Sequence, residues 1–223
     1  MPIGFKIHPA PKRPPAALLD EFRSIITAHL SDNMSRMCGT HGLTRFNRRG
    51  KLVGVALTVR TRIGDNLMIH KALDIAEPGD ALIVDGGGDT SQALVGEIMK
   101  SYAKTRGIVG FVIDGAIRDV AAFVEDDFPC YARGVTHKGP YKDGPGEIHV
   151  PVTVGGLVIQ PGDIIVGDED GLVALPPTLA EEVLGAARRQ AAREAQALQD
   201  IAAGTFDRAW VDAALQAKGV LPG

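Results

Sequence analysis

An α/β fold built around parallel strands is predicted by three observations. Strand-length apolar segments alternate with helix-period segments from Lys51 to Gly134, the order that parallel strands with crossover connections require. Two of those strands, 81–85 (ALIVD) and 108–114 (IVGFVID), are apolar nearly throughout, as strands covered on both faces are. The 223-residue chain is 45% hydrophobic and 23% charged, which suits one sizeable folded unit.

The elements follow in order. Residues 15–37 read as a helix, because Leu18, Leu19, Phe22, Ile25, Ile26 and Leu30 recur at three- and four-residue spacing. Residues 51–61 (KLVGVALTVRT) read as a Val-rich strand. Residues 65–76 read as a short helix, 77–80 (EPGD) as a turn and 81–85 as a buried strand. After the glycine loop 86–89, a helix is expected over 90–106, closed by Gly107. The strand 108–114, a helix over 116–127 and a short strand 130–134 complete the alternating half. Beyond Gly134, short strands at 148–154, 157–159, 163–167 and 172–175 lie between Gly and Pro turns. They predict an antiparallel region with a hairpin at Gly155-Gly156. The segment 160–163 (QPGD) echoes EPGD and is read as a second sharp bend before an extended strand. A long helix is expected over 178–203 with Thr178 as its N-cap, then another over 206–218. The expected organisation is one domain over 1–223, with a core at about 31–177 and helical arms at 15–30 and 178–218. Only the proline-rich stretch 9–15 has the composition of a disordered piece.

Composition excludes several function classes. A net charge of −3 and 5% aromatic residues argue against a nucleic-acid face. Cys38 and Cys130 form no CxxC pair and read as free thiols in a reducing compartment. No run of about 18 apolar residues exists for a membrane span, and the first residues lack a signal-peptide apolar core, so a cytoplasmic protein is expected. Gly86-Gly87-Gly88-Asp89 lacks the GK[ST] of a P-loop, and neither HExxH nor G-x-S-x-G occurs. Asp168-Glu169-Asp170-Gly171 lacks EF-hand spacing and reads as a hairpin turn. Lys100 and Lys104 read as surface partners of acidic groups rather than Schiff-base lysines.

The block 79–119 carries the candidate chemistry. Ligands of open α/β sheets collect beyond the carboxyl ends of the strands, and Arg118-Asp119 follows such an end. Adjacent residues do not share a helix face, but at a helix start both can converge on one ligand. Asp119 is a hard oxygen ligand suited to Mg²⁺ or Mn²⁺, which keep most of their waters. Arg118 presents a fork of donors to a carboxylate or an enolate oxygen. Glu97 precedes Arg118 by 20 intervening residues on the preceding helix and is positioned to accept from the ion's waters. The residues alone also allow a plain ion pair or helix cap at 118–119 and a solvated Glu97.

Gly96-Glu97, the twenty-residue interval and Arg118-Asp119 resemble the acidic-X20-Arg-Asp signature of class II pyruvate aldolases in the RraA-like superfamily. Its named members cleave 4-hydroxy-4-methyl-2-oxoglutarate and 4-carboxy-4-hydroxy-2-oxoadipate. The resemblance extends to EPGDALIVDGGGD, RGIVGFVIDGAIRD, GPYKDGPGEI, PVTVGGLVIQPGDIIVGDEDGLVALP and FDRAWVD, and covers roughly Ser31 to the C-terminus. It implies a swivelling β/β/α fold with the terminal helices as extensions, and a homotrimer or dimer of trimers with sites between subunits. It implies a lyase that divides 4-hydroxy-2-oxo diacids into pyruvate and a second 2-oxo acid, as in aromatic-compound catabolism, with oxaloacetate decarboxylation as a side activity.

The resemblance also implies site roles. Asp119 would ligate the metal, and Arg118 would bind the pyruvyl oxygen. Backbone N–H groups of Gly96, Glu97, Ile98 and Met99 would hold the carboxylate, and Glu97 would order the ion's waters. Most named members carry Asp where this chain has the longer Glu97. Glu194 is a candidate acid donated to a neighbouring subunit, and Lys142 a candidate for a distal carboxylate. No histidine is placed by sequence as a base, so a water on the ion is expected to take the hydroxyl proton. The superfamily also holds RraA proteins, non-catalytic regulators of ribonuclease E, which form the rival reading. They resemble the central domain without the helical arms.

Overall fold

The structure, a computed structural model, describes residues 3–221. In chain order its elements are β1 (Phe5–Ile7), α1 (Ala16–Glu21), α2 (Thr27–Asn33), β2 (Thr44–Arg45), β3 (Leu52–Thr61), α3 (Leu67–Ile75), β4 (Asp80–Asp85), β5 (Ala93–Val95), α4 (Glu97–Thr105), β6 (Gly110–Ile117), α5 (Val120–Val124) and β7 (Cys130–Val135). They continue with β8 (Gly146–Ile148), β9 (Val152–Val154), β10 (Leu157–Ile159), β11 (Ile164–Asp168), β12 (Gly171–Leu175), α6 (Ala180–Ala203) and α7 (Ala209–Ala217).

The alternating order of strands and helices forms as its sequence predicts, but the helix expected over 116–127 is only α5, because Ala116 and Ile117 continue β6 in its pairing with β7. Strands β3, β4, β6 and β7 lie side by side and parallel, joined through α3, α4 and α5. Period-two alternation decides what each face meets. Leu57, Val59, Leu82, Val84, Phe111 and Ile113 pack on the helix side. Ala56, Ala81, Ile83 and Val112 pack on the opposite face, under the β9–β10 hairpin that turns at Gly155-Gly156. Both faces are therefore covered, which is why these strands are apolar throughout.

The antiparallel half is appended to β3. Strand β11 pairs with Leu52–Val55 and folds back as the β11–β12 hairpin, whose turn is Asp168-Glu169-Asp170-Gly171. Strand β8 pairs with the far end of β3, and β1 extends the sheet beyond it. The expected continuous strand 148–154 is in fact two, β8 and β9, because His149 between them takes a left-handed backbone (φ 58°) and the chain leaves one sheet for the other. The proline-rich start is also placed: Arg13 pairs with Asp80 and donates to Pro78 O at 2.9 Å.

Three other expectations are corrected. The helix over 15–37 is interrupted at Ile25, which is extended (φ −100°, ψ 126°). Asp168 at the end of β11 takes the Thr27 N–H at 2.7 Å and the Thr27 hydroxyl, so α2 starts afresh there. The helix over 90–106 begins only at Glu97, since Ala93–Val95 pairs with β6 as β5. Finally, Thr178 does not cap α6. The helix starts after a 3₁₀ turn at Pro177–Leu179, with no side-chain cap.

Helices α1 and α2 and the start of α6 close a further cluster over the β11–β12 hairpin. Only Ala180, Val183, Leu184 and Ala187 of α6 are buried, and α7 buries nothing. Leu198, Ile201, Phe206 and Trp210 are exposed on this arm.

Replacing Asp168 by Ala strands buried donors at the start of α2. We expect a loss of about 3 kcal/mol in urea-unfolding free energy. A loss under about 0.5 kcal/mol would remove the Thr27–Asp168 contact from the list of what positions α2.

Candidate active site

The site is made where β6 ends. Its last residue, Ile117, is followed by Arg118, whose N–H donates to Val95 O at 3.1 Å, tying the strand end to β5. Asp119 then takes a left-handed backbone (φ 57°, ψ 42°) that few residues other than glycine adopt, Asp and Asn being the usual exceptions. This turn sends the chain into α5 and leaves the Asp119 carboxylate facing the start of α4. Its Oδ2 accepts the Glu97 N–H at 3.1 Å and lies 3.6 Å from Arg118 Nε. Oδ1 accepts nothing among the described residues. Both side chains are 43% exposed, so the pair is open to a ligand.

Gly96 is what permits this approach. A Cβ there would stand 2.5 Å from Asp119 Oδ2 and 3.0 Å from Arg118 Cγ. As the N-cap residue of α4, Gly96 also begins a helix end whose free N–H groups and dipole favour an anion.

Arg118 and Asp119 line a cavity of about 250 Å³. The β5–α4 segment contributes Gly96, Ile98 and Met99, and the loop between β7 and β8 contributes Gly139 and Lys142. The structure thus gathers Gly96, Ile98, Met99, Arg118, Asp119 and Lys142 around one space. Glu97 joins them only through its backbone. Its exposed side chain lines the neighbouring cleft with Arg48, Arg49 and Lys100. Glu194 is engaged within its own chain, 2.6 Å from His29 Nε2 and accepting from Gln190 at 2.9 Å. These bonds, His29 first, hold its carboxyl below the usual range. Lys100 is not a surface lysine. It is buried, bonding Ala122 O at 2.5 Å and Asp126 at 3.2 Å, while Lys104 meets Asp126 at 2.8 Å.

Two wall residues were missed in sequence, Asn66 and His70 of α3. The available signal was a polar pair four residues apart at the start of an apolar helix, just after the first parallel strand. The sequence places no histidine here as a base; the structure puts His70 on the cavity wall. Burial lowers its pKa from the ordinary 6.5, the Lys142 ammonium lowers it further, and Asp74 opposes both.

No group of three or more His, Cys, Asp or Glu capable of holding a metal occurs among the described residues. A site needing three protein ligands, such as catalytic zinc, is therefore not formed among the described residues. One carboxylate with a free oxygen beside a cavity does suit a hard divalent ion that keeps most of its waters.

Two outcomes follow from this geometry. Gly96→Ala should displace the Asp119 carboxylate while leaving the sheet intact, visible as a shifted Asp119 in a crystal structure with an unchanged circular dichroism spectrum. His70 should titrate below 6.5 by NMR and move upward in Lys142→Met. Because the unfolded chain takes this proton first, His70 makes stability fall as pH drops through 6.5 toward the folded pKa. A His70 titration at or above 6.5 would contradict the assigned environment.

The chain has clear relatives among known proteins. The model of the RraA-like family, described as Aldolase/RraA, matches residues 27–174. A protein of Halalkalibacterium halodurans bearing the name "Putative 4-hydroxy-4-methyl-2-oxoglutarate aldolase" is 41% identical over 175 residues, 78% of this chain and 83% of that protein. The crystal structure of an uncharacterized protein from Pseudomonas syringae pv. tomato superposes with a TM-score of 0.78 at 28% identity, covering 87% of this chain and 96% of the other. The RNA-processing inhibitor RraA from Thermus thermophilis superposes with a TM-score of 0.63 at 34% identity, covering 68% and 92%. The sequence match over most of the chain and the shared α/β architecture lead to one conclusion: this chain belongs to the RraA-like (Aldolase/RraA) family.

Proposed function

We propose that the protein is a lyase that cleaves 4-hydroxy-2-oxo diacids into pyruvate and a second 2-oxo acid, with a single domain, Mg²⁺ or Mn²⁺ as cofactor, and Arg118 and Asp119 as its chemical centre. The observation that carries this reading is the open Arg118–Asp119 pair on a cavity that also receives the start of α4. The aldolase name of the 41% identical relative supports the same activity.

In this reading the substrate's 2-oxo carboxylate rests against the free N–H groups of Ile98 and Met99, where the helix end favours negative charge. Arg118 directs its guanidinium to the keto oxygen. When the C3–C4 bond breaks, the 4-hydroxyl gives its proton to water and becomes the carbonyl of the second product, while the bond's electron pair becomes an enolate whose charge concentrates on the pyruvyl oxygen. Arg118 stabilises that charge more than it stabilised the ketone, and a proton from water at C3 completes pyruvate. A divalent ion held by Asp119 would polarise the same oxygen as a Lewis acid. Gly96 leaves room for the Asp119 carboxylate, and the Glu97 N–H holds it there. Lys142 and the neutral His70 supply donors for the second carboxylate. Oxaloacetate decarboxylation passes through the same enolate and is expected as a side reaction. The assembly in this reading is a homotrimer or a dimer of trimers in the cytoplasm, and the exposed apolar residues of the α6–α7 arm support self-association.

A second reading is a non-catalytic regulator of ribonuclease E, favoured by the likeness to the RraA structure. One assay separates the two. Pyruvate release from 4-hydroxy-2-oxo diacids should require Mg²⁺ or Mn²⁺ and stop in EDTA. Arg118→Ala should lower kcat about 10²–10³-fold. Asp119→Asn, which tolerates the same backbone, should abolish the metal response with little change in Tm. Absence of pyruvate release from every such diacid, or activity in Arg118→Ala within a few-fold of wild type, would falsify the lyase assignment.

A further inference from the structure

Asp119 is held by more than its contact with Glu97. The helix that follows it, α5, has five residues and buries only Phe123, so neither its length nor its packing keeps it in place. Lys100 is what crosses to it. This residue lies on α4 one turn after Glu97 and is only 5% exposed. Lysines are seldom buried unless something engages the ammonium. Here Nζ donates to Ala122 O at 2.5 Å and to Asp126 Oδ2 at 3.2 Å, and it stands 5.5 Å from the centre of the Phe123 ring. Ala122 O is one of the carbonyls that so short a helix cannot satisfy from within. Lys104, a turn further along α4, also meets Asp126, at 2.8 Å, but it is half exposed and makes no bond to Ala122 among the described residues.

These bonds close a ring around Asp119. The Glu97 N–H donates to Asp119 Oδ2 at 3.1 Å, the Ala122 N–H to Asp119 O at 3.0 Å, Lys100 Nζ to Ala122 O, and the Lys100 N–H to Gly96 O at 3.0 Å. With the Glu97 contact alone, α5 would be free to swing about a single point. The second contact, one turn along both helices, fixes the direction of the carboxylate as well as its distance. We propose that Lys100 is a positioning residue, which sets the Asp119 carboxylate against the start of α4 by holding α5 in place. The inference deepens the site proposed above and rests on the role given there to Asp119. Lys100 does not line the cavity that Arg118 and Asp119 share, and its ammonium faces α5. It acts through Asp119 and is neither a ligand nor a Schiff-base lysine. A methionine would fill much of the same space and leave Ala122 O without its donor. Asp126 would keep Lys104 and its contact with water, so no buried charge is stranded. Positioning and stability are therefore separable by experiment.

The test reads hydrogen exchange of the Glu97 amide by NMR, in the full chain without added metal. That N–H opens α4 and has no acceptor within the helix, so its protection reports the Asp119 carboxylate. It should exchange about tenfold faster in Asp119→Gly, which keeps the left-handed backbone and removes the acceptor. Lys100→Met should match Asp119→Gly within about twofold, whereas Lys104→Met, which removes a charge from the same helix, should match wild type. Lys100→Gln, too short to span to α5, serves if the methionine variant does not fold. A Glu97 amide still protected in the Lys100 variants, whatever their Tm, is what a merely structural lysine gives and would overturn the proposal. Equal exchange in wild type and Asp119→Gly, or equal loss of protection in Lys104→Met, would do the same. Mn²⁺ binding, followed by electron paramagnetic resonance, and pyruvate release are measured alongside. Where wild type binds Mn²⁺, Lys100→Met should weaken it about tenfold or more, and unchanged affinity counts against the proposal. Absence of both Mn²⁺ binding and pyruvate release in wild type sinks the lyase reading, while the amide still decides the role of Lys100.

Discussion

The contact between the Asp119 carboxylate and the first turn of α4 governs the site. A left-handed residue at the end of a parallel strand is strained unless its surroundings hold it. Here the Glu97 N–H takes one carboxylate oxygen, and Gly96 leaves the room that any side chain would fill. The same contact fixes the spacing between β6 and α4, and with it the positions of Arg118 and of the free helix N–H groups. Cation, carboxylate and helix end are therefore parts of one site.

That unit sits on a sheet whose spine is β3. Two bends with the same chemistry dock on it. In 77–80 the Glu77 N–H donates to Asp80 Oδ2 at 2.8 Å, and in 160–163 the Gln160 N–H donates to Asp163 Oδ2 at 2.8 Å. Gly79 and Gly162 take nearly the same left-handed backbone, φ 89° and 88°. Gly79 O then accepts from Val55, and Asp163 O accepts from Ala56, on adjacent residues of β3. Burial raises the pKa of both aspartates, against the hydrogen bonds that hold them. The echoed tetrapeptides solve one problem twice, feeding a parallel strand and an antiparallel strand onto the two edges of a shared neighbour.

The site's uneven legibility in sequence has a physical cause. Arg118 and Asp119 directly follow one strand end, so strand order alone marks them, whereas Gly96 and the start of α4 lie more than twenty residues earlier and are named through the family resemblance. Asn66 and His70 follow β3, another strand of the sheet, and reach the cavity only because β3, β4 and β6 are parallel neighbours in register. Glu97 shows the reverse. Its position along the chain is right, but helix geometry turns its side chain into the adjacent cleft and leaves only its N–H at the site.

The amino-acid order by itself determined the alternating strands, read at 51–61, 81–85 and 108–114, their apolar faces, the Pro-Gly bends, and the Arg-Asp pair beyond a strand end. These depend on periodicity and on turn residues, which act over a few positions. Only the tertiary structure decided that the apolar run 16–33 breaks at Ile25, that Ala93–Val95 is a strand, and that 146–154 serves two sheets. In each case a partner distant in sequence outweighs local preference: Asp168 captures Thr27, β6 offers an edge to 93–95, and β3 and β10 compete for the segment around His149. Hydrogen bonds and burial at long range are free energies that a local pattern does not contain.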